Sequence, residues 1–128
     1  MKNAYFEDIA QWMTENNIAL TKLDDAKFTW IFKKLNKQDT PSSRFIAQHY
    51  VPNLFNLTIE KIREEIGENA IYLIADETSD KLNRYVLNIL VGRLDGTYCK
   101  PMLLMVKFLE NANSESVETA IIDALIRL

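Results

Sequence analysis

The sequence predicts an α+β fold, with helices through the first half and a three-stranded antiparallel meander closed by a helix in the second. Three observations predict it. Apolar residues recur at three- and four-residue spacing as far as Ile66, the hydrophobic period changes at Ala70, and Asp95-Gly96 stands between two apolar runs of strand length.

A first helix is expected over about 5–16, where Phe6, Ile9 and Met13 form one stripe, Tyr5 and Trp12 broaden it, and Asn16 and Asn17 stop it. The connector through Leu20 and Leu23 is expected to be extended. A second helix, about 25–36, places Phe28, Ile31, Phe32 and Leu35 on one face, with Asp24 or Asp25 free to cap its first amides. Trp30 leaves that face and is expected to meet another element. Thr40 as cap and Pro41 as first helical residue would start a short third helix through Phe45, Ile46 and Tyr50, ending before Pro52. A fourth, about 52–66, carries Phe55, Ile59, Ile62 and Ile66, with Gly67 as a left-handed end.

In the second half, "AIYLIA" has the continuous apolar pattern of a strand covered on both faces. It runs into an expected acidic turn, Asp76, Glu77 and Asp80 with Thr78 and Ser79 between them. The next strand sets Tyr85, Leu87, Ile89 and Val91 on one face, Asp95-Gly96 turns the chain, and residues 100–110 return. The last helix has Asn113 or Ser114 as cap and Glu115 and Glu118 suited to its N-terminal dipole. Its stripe of Val117, Ile121, Leu125 and Leu128 runs to the final residue without a cap, from which a fragment of a longer protein or a truncated gene product is expected.

Composition narrows the function classes. With 128 residues, 48% hydrophobic and 26% charged, the chain has the balance of a globular domain with one sizeable core. No apolar run approaches the ~20 residues that span a bilayer, and the N-terminus lacks the pattern of a secretory signal, so an intracellular protein is expected. Cys99 and His49 are single, which excludes a disulfide or a four-ligand zinc site within the chain. A half-buried structural thiol is expected of Cys99, and no catalytic role of His49. Net charge −3 argues against a whole-domain basic footprint. Lys33, Lys34 and Lys37 remain a local candidate for phosphate contact, or simply the wet face of a helix, and Trp12 and Trp30 are packing residues or stacking platforms.

Strand, acidic turn, strand, hairpin, strand, helix is the order that opens a ribonuclease-H-like domain, and a carboxylate on a buried strand suits metal-assisted phosphodiester chemistry. "IYLIADETSDKLNRYVLNILVG" resembles the corresponding segment of hAT-type transposases, the hobo and Activator superfamily. "NNIALTKLDDAKFTWIFKKLN" followed by "PSSRFIAQHYVPNLF" resembles the helical region before their catalytic core, and that of domesticated relatives such as the CGG-triplet-repeat-binding protein. Ala19 stands where proline is common in the family, and Val51 precedes Pro52.

The resemblance implies a helical region over 1–67 and, over 68–128, the β-β-β-α start of a truncated ribonuclease-H-like core with a central first strand. Asp76 matches the first catalytic aspartate, a ligand to magnesium or manganese; Glu77, Thr78, Ser79 and Asp80 complete the motif without an equally clear role. The implied reaction is metal-dependent DNA strand cleavage and transfer, with DNA as partner in the full-length family, a nuclear location, and neither a membrane nor a small-molecule substrate. The family's other two carboxylates, on a later strand and a distant helix, have no position here. The chain alone is therefore expected to be inactive, to hold metal weakly if at all, and to self-associate through an open "AIYLIA" edge. The alternative is a domesticated, non-catalytic nuclear interaction or regulatory module. On pattern alone, Asp76 to Asp80 also fit a solvated turn.

Overall fold

In the computed structural model, which describes residues 3–128, the chain enters through α1, Ala4–Glu15, whose first amides are met by Asn3: its side-chain oxygen accepts from the Tyr5 amide at 3.1 Å. Asn17, at φ 55, ends the helix in the left-handed region. The chain divides into two compact units, Met1–Leu57 and Thr58–Leu128.

In the first unit, Ile9, Ala10 and Met13 of α1 are buried against Leu23, Ile46 and Tyr50. The connector expected to be extended is instead a 3₁₀ turn, Leu20–Asp24. The tighter winding drives Leu23 into the core and aims Asp24 at Ser43, whose amide and hydroxyl both donate to its carboxylate. Helix α2, Ala26–Asn36, starts as expected, with the Lys27 and Phe28 amides donating to Asp25 Oδ1 at 3.0 and 2.9 Å. Its stripe is split. Phe28 and Phe32 stack at 4.9 Å and pack on the core, whereas Ile31 and Leu35 stay in solvent and no residue of α2 is buried. Trp30 is exposed too, with the Lys34 ammonium 4.9 Å above its ring rather than another element against it.

Helix α3, Ser43–His49, is capped by Ser42, whose Oγ accepts the Phe45 amide, and not by Thr40. The tie between Asp24 and Ser43 sets where the helix begins, and Pro41 is buried ahead of it. Helix α4, Val51–Ile66, carries Pro52 in its first turn, where a missing amide costs nothing, and closes at Gly67 with φ 56. Its Val51 and Leu54 pack on the first unit's core.

The second unit is a meander of β1 (Ile71–Ser79), β2 (Tyr85–Arg93) and β3 (Met102–Leu109), in the order β1-β2-β3, followed by α5 (Ser114–Leu125). Leu87, Ile89 and Val91 face a core shared with Leu104 and Met105, with Ile59, Ile62 and Ile66 of α4, and with Ala120 and Ala124 of α5. An irregularity between Ile89 and Leu90 leaves Leu104 without a partner, and this bulge turns two successive β3 residues inward. At Gly92 the Tyr72 ring lies across the strand so closely that a Cβ would stand 2.2 Å from it.

Three expectations need correcting here. The "AIYLIA" strand is not covered on both faces: Ile71 and Leu73 pack inward, while Ile74, on the alternate face, is exposed. The central place in the sheet belongs to β2, with β1 at the edge. The acidic residues through Ser79 are strand rather than turn, because pairing continues to Ser79 opposite Tyr85.

Helix α5 is capped by Asn113, whose Oδ1 accepts the Ser116 amide at 2.9 Å. Ala120 and Ala124 make its innermost contact, Val117, Ile121 and Leu128 flank them, and Leu125 is left exposed. Small residues allow the helix backbone close to the sheet, and Lys107 of β3 meets Asp123 at 2.6 Å beside them. Among the described residues, no helix is long and apolar enough to cross a membrane.

Candidate functional site

Asp76 lies in β1 with Asn88 of β2 directly opposite and Val106 of β3 beyond it. Alternation puts these three on the sheet face away from the core, between Ile74 and Thr78 along the strand. The Asp76 carboxylate is exposed and makes no hydrogen bond or ion pair with another described residue. Glu77 follows immediately and so projects from the opposite face.

Asp80, the third carboxylate, is consumed by the turn between β1 and β2. The Leu82 and Arg84 amides each donate to Oδ1 at 2.9 Å, and the Arg84 guanidinium reaches Oδ2 at 2.6 Å. Asn83 supplies the left-handed residue, at φ 59. The Arg84 amide first, then its side chain, hold Asp80 below the ordinary carboxylate range. Arg84 also lies 4.3 Å over the Phe108 ring.

The three carboxylates clustered in sequence are thus separated in space: one on the outer face, one on the inner, one locked in a turn. Among the described residues no group of three or more His, Cys, Asp and Glu side chains comes together. Magnesium and manganese require several oxygen ligands around each ion. Asp76 beside a neutral Asn88 carboxamide does not fit that requirement, so no metal-dependent step follows from these residues.

The other candidates are dispersed as well. Lys33 pairs with Asp39 at 2.6 Å, Lys34 sits over Trp30, and Lys37 adopts φ 54 at the end of α2. The His49 ring packs on Phe45 at 4.6 Å. Cys99 is half-buried, as expected, and lines an open groove of about 840 Å³ together with Lys61, Ile62, Tyr98, Pro101 and Met102. The sequence carries no signal for this groove, because its two walls, α4 and the loop before β3, are brought together only by the fold. No protein-family model matches the chain, and no curated protein or solved structure matches it.

Three aspartates share one electrostatic habit. Hydrogen bonds from the Ser43 hydroxyl to Asp24, from the Arg84 amide to Asp80 and from the Thr97 hydroxyl to Asp95 each hold the carboxylate below its ordinary value. The folded protein therefore takes up these protons at lower pH than the unfolded chain does. The stabilisation is present above the ordinary aspartate range and is lost as pH falls through the lowered values, below about pH 4. Melting temperature measured from pH 6 to pH 2.5 is expected to drop in that window, and to drop less steeply in Asp80→Asn. An equally steep fall in the variant would remove Asp80 from this account.

Proposed function

We propose that the chain derives from a hAT-type DNA transposase, comprising the helical region over 1–67 and, over 68–128, the β-β-β-α start of a ribonuclease-H-like catalytic core. The observation that supports this is the antiparallel meander with Asp76 on its first strand, followed directly by α5. In that lineage the reaction is metal-dependent cleavage and transfer of nuclear DNA, and Asp76 is the first ligand to magnesium or manganese once the other two carboxylates are supplied. The encoding DNA beyond the Leu128 codon tests the reading. It is expected to continue in frame to a strand-borne aspartate and a helix-borne glutamate.

The purified chain is expected not to nick supercoiled plasmid in magnesium or manganese, since one exposed carboxylate cannot position two hard cations. Metal-dependent nicking that vanishes in Asp76→Ala would overturn that expectation. A second reading, a non-catalytic nuclear interaction module, is favoured by the outer sheet face, where Ile74, Leu103, Val106 and Phe108 are exposed around Asp76. Absence of the downstream carboxylates from the encoding DNA would leave that reading in possession.

A further inference from the structure

Two helices leave whole faces in water, and their chemistry is complementary. On α2, Lys27, Trp30, Ile31, Lys34 and Leu35 follow one another at three- and four-residue spacing and so form one continuous face. Trp30, Ile31 and Leu35 are 63%, 48% and 73% exposed on it. Helix α2 contains lysines and no acidic residue, and Lys37 prolongs the basic side past its end.

On α5, Glu115, Glu118, Ile122, Leu125 and Ile126 form the corresponding outer face, with the last three 50%, 43% and 76% exposed. Neither glutamate has an ion-pair partner among the described residues. The charge imbalance extends beyond the helices. Met1–Leu57 contains seven Lys and Arg against six Asp and Glu, and Thr58–Leu128 contains eight against twelve.

We propose that the outer face of α2 docks antiparallel on the outer face of α5 of a second copy of this chain. Both helices rise equally per residue, so one pairing fixes the rest. Setting Glu118 beside Lys34 places Ile122 beside Trp30 and Leu125 beside the aliphatic stem of Lys27, and brings Glu115 to the end of α2, where Lys37 follows the helix. Carboxylates meet ammonium groups at one end of the contact, and apolar side chains meet at the other. The antiparallel sense also sets the positive N-terminus of α5 beside the negative C-terminus of α2. A second copy fits this face better than a nucleic acid: a phosphate backbone would pair the lysines but bring no apolar surface to Trp30, which Ile122 of the second copy supplies.

Sedimentation velocity over a concentration series from about 1 to 500 µM at low salt tests the contact, because added salt screens exposed charge pairs. Association that rises with concentration and weakens with salt is expected. Lys34→Glu and Glu118→Lys alone should each raise the dissociation constant about tenfold or more, since each turns an attraction into a repulsion. An equimolar mixture of the two variants should regain wild-type association, because copies that alternate restore every pairing. Both positions are exposed, so melts of the single variants confirm that each is folded before the comparison is made.

A monomer throughout the series overturns the proposal. So does association that ignores the reversals, as pairing through the β1 edge would, or that mixing fails to restore. A shift of a duplex oligonucleotide that Lys34→Glu abolishes, in a chain that does not self-associate, would assign the α2 face to nucleic acid instead.

Discussion

Replacing Ile89 with alanine is expected to cost the Thr58–Leu128 unit about 3 kcal/mol or more, the range for truncating a large aliphatic side chain at a site that cannot collapse. Ile89 is fully buried on the central strand, between Ala75 and Met105 across the sheet and under the residues of α4 and α5. It also adjoins the irregularity at Leu104, where the ladder has the least freedom to close over a void. Denaturant unfolding gives the loss, and hydrogen exchange should show it in the amides of β1, β2 and β3. A loss below about 1 kcal/mol would mean that the neighbouring side chains relax into the space, contrary to the packing described.

The second large effect is expected in the opposite direction of volume. Ala124→Leu places three further carbons where α5 stands closest to the sheet, at a position with no exposed surface. Overfilling a packed contact costs about 1–3 kcal/mol, because the helix must shift or the side chain must leave its rotamer. Helix α5 is also tethered by Lys107 to Asp123, so displacement should break that ion pair as well. Ala124→Ser at the same place should be milder, and equal losses in the two variants would argue against a steric cause.

What could be read in the sequence is what is decided locally. Asp25 caps α2, Gly67 ends α4 and Asn113 starts α5 because each acts on a backbone within a turn of itself. The three strands declared themselves by a change of period and an Asp-Gly turn. What stayed hidden depends on residues far apart. The 3₁₀ turn at Leu20 is fixed by a bond from Ser43 to Asp24, and that same bond moves the start of α3 away from Thr40. The burying face of α5 is legible in Val117, Ile121 and Leu128, which pack on the core, but its innermost contact belongs to Ala120 and Ala124, whose small side chains let the helix in. The acidic cluster looked like one site because its members adjoin in sequence. Strand alternation divides Asp76 from Glu77, and the Arg84 pairing removes Asp80.

The outer edge of β1 joins an apolar half, Ile71 to Ile74, to a charged half, Asp76 and Glu77, one carboxylate on each face. A growing cross-β fibril of parallel strands stacks identical residues in register about 4.8 Å apart. Any such stack begun on this edge would pile Asp76 on Asp76 along one side and Glu77 on Glu77 along the other. In a parallel stack the apolar half brings that column of like charge with it, which disfavours pairing of this edge with copies of itself.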